Sequence, residues 1–297
     1  IAEHFSVYVM TRMATLSSDH SLIVEGGTEG TDYQWGGQIL SEAGNQIHSD
    51  AALIILSSKP LTISGTSQVS TIDAEIISIP NGVKANLTLK NVDLKSKYKS
   101  SPITVFSGGE LNLTLEGENN FYQEGTNSDG RNCPAIRVPR GASLTITKES
   151  TGSMTASTQY GAAVIGGRTG IGEYHDFCGS IVINGGILNL AATAGQAVNT
   201  DSGAAIGSAV GTSDCGTITI NGGTIHATTG TSTAIGVGWY DFYDMYGNIT
   251  ITGGTVVTNT ASGRDGIGGY RARYGSGTLP NVTITGGTVI SNQSLVR

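Results

Sequence analysis

The sequence predicts an all-β fold: a right-handed parallel β-helix, a solenoid with three short strands per coil. Three observations predict it. A motif recurs, as GSIVINGGILNL from Gly179, GTITINGGTIHA from Gly216, GNITITGGTVVT from Gly247 and NVTITGGTVIS from Asn281. Its glycine pairs, Gly185/Gly186, Gly222/Gly223, Gly253/Gly254 and Gly286/Gly287, step by 37, 31 and 33 residues. A second signature travels with it, as GAAIG at Gly203, TAIGVG at Thr233 and DGIGG at Asp265. Repeats of 20–50 residues mark units that stack.

Each part of the unit has a physical reading. TITI alternates Ile with Thr, which makes a strand with one buried and one wet face. The glycine pair stands where the chain bends and has no room for a Cβ. TVVT or TIHA is a second strand. A polar loop leads to AIG, a third strand that is small and buried. Stacking pairs the backbone of each coil with the next at about 4.8 Å per step and fills the interior with columns of Ile, Val and Ala. A β-propeller would want a fourth strand and an aromatic marker in each unit, and these units are too short for that.

Composition narrows the class. The chain has 297 residues, 44 Gly, 6 Pro and 13% charged residues, which fits β structure and argues against helix bundles. Its net charge of −7, with no basic cluster, makes it a poor nucleic-acid binder. No apolar run reaches the length of a membrane span. The start, IAEHFSVYVMTRM, lacks a basic segment followed by an apolar core, so no signal peptide is read there, and the chain reads as a mature or excised fragment.

Along the chain, residues 1–50 read as an N-terminal cap with irregular first coils, and 51–297 as one β-helix. The segment SLIVEGGTEGTDYQW fits a cap over strand edges that would otherwise be open. From ALIILSSKPLTI (52–63) onward strands become readable: IISIPNG, ANLTLKNVDL, ITVF and LNLTLEG. NNFYQEGTNSDGRNC (119–133) is a polar loop, and AIRVPRGASLTI, GSMTAS and GAAVIGG repeat the two-motif logic with fewer glycines. The last coil ends in an edge that a flanking domain or second chain would cover. Cys178 and Cys215 each precede the glycine that opens a coil, so they should lie above one another. They read either as stacked thiols or as a disulfide, which needs an oxidising compartment. Cys133 reads as a packed thiol.

ANLTLKNVDL, LNLTLEGEN, CPAIRVPRGASLTI, GAAVIGG and the NGGT/TGGT repeats resemble the β-helical repeat regions of large secreted and cell-surface proteins of gut-type anaerobic bacteria, over roughly residues 50–297. The resemblance implies a secreted or cell-surface, extracytoplasmic protein, often glycan-related. Relatives of that kind serve as adhesins or carbohydrate-binding segments. Others are glycosidases, the β-helical lacto-N-biosidases among them. No catalytic motif of that family aligns here, so none of its catalytic residues is carried over.

The candidate site lies in four inserts that follow the Ile-Gly strands: RTGIGEYHDFC (168–178), AVGTSDC (209–215), WYDFYDMY (239–246) and YRARYGSGTLP (270–280). They occupy one corner of successive coils and should stack into a ledge. The candidate substrate-binding residues are Tyr174, His175, Phe177, Trp239, Tyr240, Phe242, Tyr243, Tyr270, Arg271, Arg273 and Tyr274. Aromatic faces stack on sugar rings, while acids and arginines bind hydroxyls. The bland alternative is that these loops pack aromatics together to cover a sheet.

The candidate catalytic acids are Asp176, Asp214, Asp241 and Asp244. Counted from the glycine that opens the next coil, Asp176, Asp214 and Asp244 would form a column. Rungs one or two apart would then meet the carboxylate windows of about 5–5.5 Å for retaining and 6.5–9.5 Å for inverting glycosidases. Any β-helix offers such spacings, and a loop Asp more often caps a turn. His175 beside Asp176 reads as a hydrogen-bonded surface residue, or else as a general base or a sugar contact. Arg264, Arg271 and Arg273 would pair with ledge acids or hold an acidic sugar. No metal spacing, phosphate loop or serine elbow is present, so no metal and no cofactor is expected.

The functional expectation is a carbohydrate-binding or adhesion module that takes an oligosaccharide or glycoconjugate on the ledge, with no nucleic acid and no membrane insertion. The alternative is a two-Asp glycoside hydrolase, and a ligand-free structural stalk is the third reading.

Overall fold

The computed structural model describes residues 20–36, 38–40, 46–48, 53–69, 76–97, 100–124, 132–169, 176–193, 201–238, 245–261, 263–269 and 278–296. Among these residues the fold is all-β, with no helix and with a long sheet of parallel strands, consistent with a β-solenoid.

Two long strands, Pro60–Val69 and Lys84–Lys97, pair in parallel and form the root of a fork. The first half of Lys84–Lys97 pairs with Glu110–Glu116 and starts one ladder, which continues through Ser143–Ile146, Ser180–Ile183, Asp214–Ile220, Tyr246–Ile251 and Asn281–Ile284. The second half pairs with Glu118–Glu124 and starts another, through Ser153–Gln159, Ile187–Thr193, Thr224–Thr229, Thr255–Asn259 and Thr288–Ser291. A separate ladder runs Leu53–Ile55, Ile77–Ile79, Ile103–Val105, Ile136–Arg137, Ile165–Gly166, Ile206–Gly207, Ile235–Gly236 and Ile267–Gly268. At the N-terminal side two antiparallel strands close the stack: His20–Glu25 against Pro60–Val69, and Tyr33–Trp35 against Leu53–Ile55.

The fork shows how the bend arises. In Lys84–Lys97 the chain turns at Asn91, which takes a φ of 54° while remaining within one strand. One repeat on, Gly117 takes the same place with a φ of 63° and separates two strands. A Cβ on Gly117 would collide with the Asn91 side-chain amide. From there the repeats carry glycine at the bend, because each bend lies against the backbone of the one before.

The alternation in the sequence sorts the faces. Leu87, Leu113, Ile146, Ile183, Ile220 and Ile251 are in register and buried, as are Ile77, Ile103, Ile136, Ile165, Ile206, Ile235 and Ile267. These columns form one continuous apolar core. Fully burying an aliphatic side chain of this size stabilises by about 1.5–3 kcal/mol, so the stack is held mainly by like-on-like packing. The outer face of the first ladder carries Thr and Asn, and amides there bond between repeats: Asn221 Nδ2 donates to Asn184 Oδ1 at 2.9 Å, and Asn281 Nδ2 to Asn248 Oδ1 at 3.1 Å.

Candidate functional site

The four inserts have stacked ends. They leave the chain just after the Ile-Gly strands, where Ile165, Ile206, Ile235 and Ile267 are mutual register partners. They rejoin it at the first ladder, where Ser180, Thr217, Asn248 and Asn281 are in register. Regular stacking below therefore sets the departure and return of all four segments.

Of the candidate site residues, Asp176, Phe177 and Asp214 are described. Tyr174, His175, Trp239, Tyr240, Asp241, Phe242, Tyr243, Asp244, Tyr270, Arg271, Arg273 and Tyr274 lie outside the described residues.

Asp176 and Asp214 fall on different levels. The offset of 37 that pairs Ser180 with Thr217 brings Phe177, and not Asp176, level with Asp214. The bulge between Asp214 and Thr217 in the pairing with Tyr246–Ile251 shifts the register again. Asp176 stands three residues before Gly179 and Asp214 two before Gly216, so the two are one residue out of register.

Each acid is held by arginine. Asp176 is buried, and its Oδ2 accepts a 2.6 Å hydrogen bond from Arg137 Nε. Arg168 Nε lies 3.0 Å from the same oxygen, an ion pair whose N–H points off the contact and makes no hydrogen bond. The Arg137 guanidinium sits 5.9 Å from the Phe106 ring centroid, at the limit of a cation–π contact. Asp214 is more open. Its Oδ2 accepts from Arg140 Nη2 at 2.7 Å, and its Oδ1 accepts from the Gly216 amide at 2.8 Å. Arg140 reaches it across the half-buried ring of Phe177, with the guanidinium 4.2 Å from the ring centroid. Phe177 is tied in turn to Arg140 by a 2.7 Å backbone hydrogen bond. Arg140, Phe177 and Asp214 thus make one surface column over three successive repeats.

Arg137, Arg140 and Arg168 are absent from the sequence-based candidates. The signal was there in register: AIR at 135–137 aligns with AIG at 205–207, which places Arg137 where later repeats have glycine.

The three cysteines are buried and none forms a disulfide. Cys178 and Cys215 stack within the apolar core as thiols. Burial pushes both thiols up, Cys215 to about 12, and each also feels the charge of Asp214. Thiols held protonated in this way are poor nucleophiles. Among the described residues no group of three or more His, Cys, Asp or Glu side chains is placed to hold a metal, and no helix is long and apolar enough to cross a membrane.

No family model, no curated protein and no solved structure matches this chain.

Proposed function

We propose that the chain is a right-handed parallel β-helix with three short strands per coil, secreted or displayed at a cell surface, and that its corner ledge binds glycans. The coil assignment is supported by repeats such as Ser180–Ile183, Ile187–Thr193 and Ile206–Gly207, which supply one strand to each ladder in order. The observation that carries the functional reading is the stacking of both ends of the four inserts, three of which bear aromatics. Backbone that stacks at about 4.8 Å per step brings the departures and returns of these segments close together. A row of aromatics beside Arg and Asp suits the C–H faces and hydroxyls of successive sugar rings. The Arg140–Phe177–Asp214 column is what the described residues contribute to this reading.

Binding without cleavage is favoured over hydrolysis by the state of the described acids. Both oxygens of Asp214 accept hydrogen bonds, and Asp176 is buried against two guanidiniums. A general acid or base needs an oxygen within reach of the substrate.

The test is a glycan array probed with the purified protein, with products read in parallel by mass spectrometry. Binding that is lost in Trp239→Ala and Tyr243→Ala supports the module. Binding that survives both changes removes the ledge from the account. New fragments, lost in Asp214→Asn or Asp244→Asn, would make the protein a glycoside hydrolase instead. Silence in every arm would leave the stalk.

A further inference from the structure

We infer that Arg168 is an anion-recognition residue at the foot of the ledge, and that the glycan taken there is acidic, bearing a carboxylate or a sulfate. This rests on the glycan reading above and adds the chemical class of the ligand.

The argument starts from a break in the repeat. On the outer face of the third ladder, Ser78, Thr104, Arg137, Gly166, Gly207, Gly236 and Gly268 are in register. Four successive repeats place glycine there, and one places a buried arginine. Asp176 reaches this arginine from the first insert, and both side chains are buried. A buried guanidinium needs a hydrogen-bonded counter-charge. Arg137 finds it in Asp176 Oδ2 through its aligned Nε–H.

Arg168 comes second to that oxygen. Its Nε is 3.0 Å away without the alignment of a hydrogen bond, and no hydrogen bond from its guanidinium is found among the described residues. The side chain is 30% exposed, so it borders solvent and is partly desolvated at once. A guanidinium has five N–H donors in a planar fork that matches a carboxylate or sulfate edge. A neutral sugar hydroxyl offers no such charged two-oxygen edge and lacks the charge-assisted strength.

The position is also fixed in advance. The Arg168 carbonyl accepts from the Asp176 amide at 3.4 Å. The next residue, Thr169, exchanges hydrogen bonds with Asn132: its N–H donates to the Asn132 carbonyl at 3.1 Å, and its Oγ1 accepts from the Asn132 amide at 2.9 Å. Asn132 Nδ2 is anchored in turn on the Tyr160 carbonyl at 2.6 Å. An arginine on so constrained a backbone loses little freedom when it takes a ligand. Arg137 acts here as a positioning residue, because it holds Asp176 and leaves Arg168 its donors.

The experiment compares neutral host and plant oligosaccharides with counterparts carrying a uronic acid, a sialic acid or a sulfate, each titrated against wild type, Arg168→Gln and Arg168→Lys. The expected result is that acidic counterparts bind about tenfold or more tightly than their neutral parents, the size of one charge-assisted hydrogen bond. Arg168→Gln should bring them down to the neutral level, and Arg168→Lys should keep part of the difference. The carboxylate and sulfate arms tell which anion is recognised. Equal binding of neutral and acidic glycans, or a preference untouched by Arg168→Gln in a protein with wild-type melting, overturns the inference and leaves the glycan reading standing. No binding by any glycan, neutral or acidic, overturns both.

Discussion

Arg137 Nε donates a 2.6 Å hydrogen bond to Asp176 Oδ2 over a separation of 39 residues, and both side chains are buried. The pair ties the third ladder to the first insert of the ledge. Removing one partner of such a pair strands a charge in a poorly solvated place, so Arg137→Ala should lower unfolding free energy by about 3–5 kcal/mol. Arg137→Met combined with Asp176→Leu should recover much of that, since the buried pair is then gone and the charge left behind, on Arg168, borders solvent. Urea unfolding of the three proteins is the check. A loss below about 1 kcal/mol for Arg137→Ala would mean the pair is worth no more than one on the surface.

This pair also marks how far the sequence could be read. The Ile and Thr alternation and the glycine pairs were legible because each coincides with one physical role, repeated. Leu113, Ile146, Ile183 and Ile220 stack as their periodicity says they should. Arg137 was not legible as the partner of Asp176, because a repeat shows what recurs and Arg137 is the place where the repeat fails. Asp176 and Asp214 stand one residue out of register, and the bulge next to Asp214 in its pairing with the following repeat leaves no trace in the motif on either side.

Two glycines that both take a positive φ should respond very differently to a methyl group. Gly207 has a φ of 131°, and a Cβ there would overlap the Gly236 carbonyl oxygen. Gly82 has a φ of 77° with nothing within 4 Å of a Cβ. Gly82→Ala should cost only the backbone term, about 1–2 kcal/mol. Gly207→Ala adds a clash that only a shift of the next repeat can relieve, so it should melt far lower or fail to fold. Thermal melts that coincide for the two variants would show that the ladder spacing can give at this point.

Ile206 lies between Ile165 and Ile235 in a fully buried column. Ile206→Ala leaves a hole that the neighbouring repeats cannot close without breaking their own register, so it should cost about 2–5 kcal/mol. Thr219, on the outer face of the first ladder, faces solvent in part. Thr219→Ala should change stability by no more than about 0.5 kcal/mol. Denaturant midpoints decide it, and a Thr219→Ala cost as large as that of Ile206→Ala would contradict the assignment of faces.

The stacked thiols make stability fall in alkali. In the folded chain burial pushes Cys215 to about 12, and Cys178 also lies well above its ordinary value, chiefly through burial and then through the charge of Cys215. An unfolded thiol loses its proton near pH 8.5. Above that pH the unfolded state binds fewer protons than the folded one, so unfolding becomes easier with each unit. The contribution of these thiols is complete below about pH 8.5 and is lost as pH rises toward 12. Unfolding followed at pH 7, 9 and 10.5 should show a steeper decline for wild type than for Cys215→Ala, and a thiol reagent at pH 8 should label Cys178 and Cys215 only after denaturation. Equal slopes, or rapid labelling of the folded protein, would place the sulfurs in contact with solvent and so contradict their position inside the core.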